Sequence, residues 1–130
     1  MFNNIEMMQT AQAMARHASE RQTLVARNVA NADTPGYRAR DMPSFVETLT
    51  APQLGVALRT TRPGHLNDGV NFVGQMGAID AGVEASPNGN TVSIEDEMVK
   101  AADLRQQHDM AMAIYGKARD ILRASLGRGQ

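Results

Sequence analysis

Cysteine and tryptophan are absent from the 130 residues, and only five aromatic side chains are present. Without cysteine there is no disulfide framework, no thiolate metal site and no cysteine nucleophile, while a reducing and an oxidising compartment both stay open. An excess of either charge is also missing. Thirteen Lys and Arg stand against fourteen Asp and Glu, a net charge of −1. The basic residues are scattered, so no positive stripe exists to neutralise a phosphate backbone, and nucleic acid is not an expected partner. No stretch approaches the ~18 apolar residues of a membrane span. The start MFNNIEMMQT has neither a basic n-region nor a long apolar h-region, so no ordinary cleaved signal peptide is expected.

What is present is Ala and Met, the latter nine times, a mixture that suits close-packed helices better than sheets. The length predicts a single domain over residues 1–130, and composition divides it into three zones. From Asn4 to Ala32 there is no Pro or Gly. At 100° per residue, Met7, Ala11, Met14, Ala15, Ala18, Gln22, Val25 and Val29 share one stripe, with Glu6, Gln9, Arg16, Glu20 and Arg27 opposite. This predicts an amphipathic helix over residues 4–33. Thr34 precedes Pro35 and is pushed out of the α region, and Pro35-Gly36 supplies a fixed φ followed by a permissive one, so the chain turns there.

Residues 34–92 are expected to be turn, loops and short strands. The stretch from Thr50 to Val92 holds seven of the eleven Gly and three of the five Pro but only five charged residues. Alternation suggests a strand at Gly55–Thr61 and another at Asn71–Val73. Asn88-Gly89 reads as a turn, and Ser93 three residues before Asp96 as a helix cap, with Glu95, Asp96 and Glu97 as negative charge in the first helical turn. A second helix follows over residues 93–127, starting at Ile94. Ala101, Leu104, His108, Ala111, Tyr115, Ala118 and Leu122 give it the 3-4 spacing of a coiled-coil seam. Lys117, Arg119, Arg123 and Arg128 near its end are attributed to the helix dipole. The fold class is therefore mainly α: long N- and C-terminal helices pairing as a coiled coil, with a Gly- and Pro-rich middle.

Helices of ~40 and ~50 Å are as long as or longer than a compact domain of this size is wide. The run Met110-Ala111-Met112-Ala113-Ile114-Tyr115, with Leu24, Ala26 and Ala30 lying off the first helix's main stripe, calls for more neighbours than one partner helix. Small Ala at the seams permits close approach, and Met adapts to irregular gaps. The physical reading is an assembly-forming helical protein.

Other chemistries find little support. His17, His65 and His108 form no i, i+4 pair and have no Cys beside them, so no metal site is expected. The serines sit in no nucleophile-elbow context. Pro63–Gly69 reads as a surface turn, lacking the glycine-rich cradle and following helix of a phosphate site.

The segment Asn28-Val29-Ala30-Asn31-Ala32-Asp33-Thr34-Pro35-Gly36-Tyr37 closely resembles the signature of the bacterial flagellar rod and hook family. Arg38-Ala39-Arg40-Asp41 and Asn88-Gly89-Asn90-Thr91-Val92, leading into an acidic helix start, extend the likeness, above all to the proximal-rod members. Two departures stand out: Pro43 makes its loop one residue longer than the family pattern, and Gln107-His108 replaces an aromatic-Gln pair common in the last helix. Asn28, Asn31, Thr34, Pro35, Gly36 and Tyr37 are the positions that match the motif. The resemblance implies a structural basal-body subunit without catalytic activity, cofactor or small-molecule substrate, whose terminal helices associate as a tube around a central export channel. It further implies self-assembly and assembly with other rod proteins, contact with the rod-to-MS-ring junction protein and the export apparatus, and a role in motility. The expected location is the periplasmic rod, reached through the flagellar type III system without a cleaved signal. A runner-up of another class is a small helical adaptor or secretion-associated chaperone that binds one partner helix.

Overall fold

The computed structural model describes residues 2–50 and 78–127. Two long helices, α1 (Phe2–Ala30) and α3 (Ile94–Gly127), pack along one another and dominate the structure. Between them come the two-residue strand β1 (Arg40–Asp41), the short helix α2 (Phe45–Thr50) and the two-residue strand β2 (Ile79–Asp80). β1 and β2 pair antiparallel, Arg40 opposite Asp80 and Asp41 opposite Ile79. The strands expected at 55–61 and 71–73, and the turn at 63–69, lie outside the described residues.

The end of α1 meets the start of α3 through a side-chain hydrogen bond from Asn28 to Glu97, so the long helices form an antiparallel hairpin with a closed end and an open end. Its seam follows the heptad spacing read from the sequence. Ala11, Ala18 and Val25 of α1 and Leu104, Ala111 and Ala118 of α3 are buried, and Met14, His108, Tyr115 and Leu122 are half-buried. Two expected seam residues are not. Met7 is 40% and Val29 41% exposed. Met7 lies toward the open end, where a two-helix pair covers only one side of each helix. Val29 loses its place because the 3-4 rhythm passes from Val25 to Asn28, which is fully buried. Leu24 and His17, outside the expected set, are buried instead.

α1 starts two residues earlier than expected and ends three residues earlier. Past Ala30 the turn tightens: Asn31 N–H bonds the carbonyls of both Arg27 and Asn28, and Ala32 N–H bonds that of Val29. α3 begins at Ile94 as expected, its Asp96 N–H bonding the Ser93 hydroxyl at 3.4 Å. α2 was not legible from periodicity. A reciprocal capping box nucleates it: the Ser44 hydroxyl accepts from Glu47 N–H, and the Glu47 carboxylate accepts from Ser44 N–H at 2.7 Å. Those Ser44 bonds hold the Glu47 carboxyl below its ordinary value. Phe45 docks α2 on α1, its ring 5.7 Å from that of His17. His17 Nε2 lies 2.9 Å from the Pro43 carbonyl, an acceptor only, so Nε2 carries the proton.

Candidate functional site

The motif segment and the residues before α3 converge at the closed end of the hairpin. Thr34 to Tyr37 form a β-turn closed by Tyr37 N–H to the Thr34 carbonyl at 3.2 Å, with Pro35 and Gly36 at its centre. Gly36 has φ +73°, the left-handed value that a type II turn requires at that place. A second turn, Ser86 to Gly89, is closed by Gly89 N–H to the Ser86 carbonyl at 2.8 Å. The two turns lie against each other: Gly36 N–H donates to the Asn88 carbonyl, and a Cβ on Gly89 would stand 3.3 Å from Gly36 Cα. Backbone thus approaches backbone where both residues lack a side chain.

Asn90, almost wholly buried, fastens the pair. Its Nδ2 lies within hydrogen-bond distance of the carbonyls of Asn31, Ala32 and Thr34, at 2.8 to 3.0 Å. The Asn31 and Thr34 carbonyls also accept the N–H groups of Thr34 and Tyr37, so a side chain from 56 to 59 residues downstream adds a second bond to each of them and bonds the Ala32 carbonyl as well. Thr91 adds two bonds, N–H to the Tyr37 carbonyl and hydroxyl from Ala39 N–H at 2.7 Å.

Asn28 lies at the centre of the junction. Its amide makes four hydrogen bonds, the most that an amide side chain commonly satisfies. Nδ2 donates to the Arg40 carbonyl at 2.8 Å and to Glu97 Oε2 at 3.1 Å; Oδ1 accepts from Arg40 N–H and from the Tyr37 hydroxyl. Tyr37 therefore folds back on its own helix rather than reaching away from the chain. Asn31 Nδ2 donates to the Arg27 carbonyl, and Asn31 Oδ1 accepts from the Thr34 hydroxyl. Pro35 is exposed.

A charged cluster continues from Asn28 into the seam. Glu97 is only 2% exposed. All three acidic residues stand in the first turn of α3 as expected: Glu95 and Asp96 face solvent, while Glu97 turns inward to Asn28 and to Lys100 Nζ at 3.0 Å. Lys100 also lies 3.5 Å from Asp41 Oδ2, and Arg21 grips Asp41 with two bonds of 3.0 and 2.9 Å. Two cations and two carboxylates from α1, β1 and α3 balance. Burial pushes the Asp41 carboxyl up, but Arg21, the Met42 N–H and Lys100 outweigh it and leave the group below its ordinary value. Burial alone would lower Lys100, yet Glu97 and Asp41 raise it.

The arrangement binds parts of one chain together, and among the described residues no group of three or more His, Cys, Asp or Glu could hold a metal ion. The motif residues Asn28, Asn31, Thr34, Pro35, Gly36 and Tyr37 all meet here. Arg21, Asp41, Lys100, Asn90 and Thr91 join them as site residues that the sequence does not mark as such. The Asn88–Val92 stretch carries a turn signal and the family likeness but no sign of its long-range partners, and nothing local marks Arg21, Asp41 and Lys100 as partners.

No family model matches the chain. Individual relatives do. The chain is 29% identical to the flagellar basal body rod protein FlgB of Agrobacterium fabrum, the match covering 82% of this chain and 81% of the relative. It is 32% identical to FlgB of Salmonella typhimurium over 75% and 76% of the two chains, and 31% identical to FlgB of Escherichia coli over 80% and 81%. With its turn motif, its antiparallel terminal helices and this degree of identity across most of its length, the chain belongs to the FlgB family of flagellar basal body rod proteins.

Proposed function

We propose that this protein is a structural subunit of the proximal rod of the bacterial flagellum, which polymerises through its terminal helices around the export channel. Its partners are other copies of itself, related rod proteins, the rod-to-MS-ring junction protein and the export apparatus. It works in the periplasmic rod after delivery by the flagellar type III system, as one domain over residues 1–130, without catalytic activity or cofactor. The family supports the rod assignment, and the comparisons lend none to a chaperone or adaptor. Exposed Met98, Val99, Met110, Met112, Ile121 and Leu126 along α3 support assembly through helices, since one partner helix leaves them uncovered.

The observation that carries this reading is the doubly glycine-based junction, in which Asn28, Asn31, Thr34, Pro35, Gly36 and Tyr37 set the direction of everything after α1. Nothing lies within 4 Å of a Cβ built on Gly36, so a substitution there acts through backbone strain, ~1 to 2 kcal/mol for an L-residue at positive φ. A small error of angle at the end of a ~45 Å helix becomes a large displacement. Gly36→Val should yield a protein that is made and exported but builds no rods, with Pro35→Ala milder. Immunoblots, swimming assays and counts of complete basal bodies by electron microscopy test this. Normal rods in Gly36→Val would refute the positioning role.

A further inference from the structure

The basic residues toward the end of α3 lose their simplest explanation in the structure. The helix runs to Gly127, its last turn contains no basic residue, and Arg128 lies outside the described residues. The dipole effect fades within the last turn, so Lys117, Arg119 and Arg123 lie too far back to be accounted for by it. All three are exposed, on a stretch that also exposes Ile121 and Leu126. Arg119 has only a loose 3.8 Å approach to its neighbour Asp120.

The closed end carries the complementary surface. An open groove of ≈ 680 Å³ runs between β1, β2, the entry to α2 and the first turns of α3. Its apolar lining includes Pro43, Ile79, Val83 and Val99; five carboxylates, Asp80 and Asp96 among them, line it against one cation, Lys100, which Glu97 and Asp41 already hold. Val99 is 62% and Ile79 55% exposed, and among the described residues nothing covers them. Asp96 makes no ion pair among the described residues, and Asp80 has only the exposed Arg38. Apolar floor with acidic sides at one end, apolar residues with basic flanks at the other: each surface offers what the other lacks.

We infer that the groove at the closed end receives the basic, apolar final turns of α3 from a second copy of this chain. The inference deepens, and rests on, the self-assembly proposed above. The contact is head to tail. Its two surfaces differ and lie at opposite ends of α3, so each copy keeps one of each free and the chain of contacts propagates instead of closing as a dimer. Charges at the margins choose the direction of approach, and Ile121 and Leu126 against Val99 and Ile79 supply the buried apolar contact.

Because the chain has no cysteine of its own, an introduced pair reports the contact cleanly. Val99→Cys and Ile121→Cys combined in one chain, oxidised mildly in purified basal bodies, should convert most of the subunit into a ladder of dimers and higher multiples of 14.1 kDa, identified by mass spectrometry. Either cysteine alone should give no ladder. Closed dimers without higher species, adducts to a different protein, or no cross-link in subunits present in basal bodies would each overturn the inference and leave the rod assignment standing. Absence of the wild-type protein from basal bodies would overturn both. Independently of cysteines, Arg119→Glu combined with Arg123→Glu should lower the number of complete rods at least tenfold, and adding Asp96→Lys should restore part of it. Unchanged rod numbers in the double reversal would refute the charge pairing.

Discussion

Asn28 shows how one side chain holds a junction together when all its hydrogen-bonding capacity is used. Arg40 is bound through both its N–H and its carbonyl, Tyr37 through its hydroxyl, and Glu97 through a carboxylate oxygen. Truncation leaves several of these buried groups unpaired, at ~1 to 3 kcal/mol each for those that water cannot reach. Asn28→Ala should therefore destabilise the protein by ~2 to 4 kcal/mol in urea unfolding. Asn28→Asp should cost at least as much at neutral pH, since it loses both donors and puts a carboxylate 3.1 Å from Glu97. Acidification that protonates one of the two carboxyls should narrow that gap. An Asp variant as stable as wild type at pH 7 would contradict the four-bond description.

At the scale of elements, α2 is attached to α1 through His17. The buried imidazole donates from Nε2 to Pro43, while buried Nδ1 has no partner. Protonation would place a second N–H where nothing accepts it. Burial lowers the His17 pKa below its ordinary 6.5; the Pro43 bond opposes this, Arg21 adds to it, and Glu20 and Asp41 oppose it. The neutral form thus contributes stability that is present in full above pH 6.5 and is lost as pH falls through the lower folded-state value. Asp41 contributes stability present above its ordinary 3.8 and lost only on stronger acidification, so the two transitions separate. Urea midpoints from pH 7.5 to 4.5 should decline for wild type, and His17→Gln should flatten the decline. An unchanged slope in that variant would place the sensitivity elsewhere.

Across the whole molecule, polar cross-links and the largest fully buried side chains gather toward the closed end. Leu104 and Asn28 are the largest fully buried side chains among the described residues, whereas Ala11, Ala111 and Ala118 form much of the seam toward the open end. Alanine contacts bury little area against an ordering cost of ~1 to 2 kcal/mol per residue. In dilute solution the hairpin should fray from the open end. Hydrogen exchange should find amides slow near Leu24–Asn28 and Glu97–Leu104, and fast over residues 2–10 and 119–127. Uniform protection along both helices would show that the pair needs no further neighbours.

Much of this architecture follows from local rules that act within a few residues. The 3-4 spacing of Leu104, Ala111 and Ala118, the Pro35-Gly36 turn, the Asn88-Gly89 turn and the start of α3 at Ile94 could all be read because periodicity, fixed φ and capping are short-range effects. Even the misplacement of Met7 and Val29 is instructive, since hydrophobic phase marks the broad face an element offers but not which positions on that face its partner covers. What only the tertiary structure decided is which polar groups meet. Asn90 fastens carbonyls 56 to 59 residues away, Glu97 lies opposite Asn28 across 69 residues, and Arg21, Asp41 and Lys100 come from three elements. A hydrogen bond depends on distances of a few tenths of an ångström. Those distances exist only once the helices have docked, and so no pattern along the chain announces them.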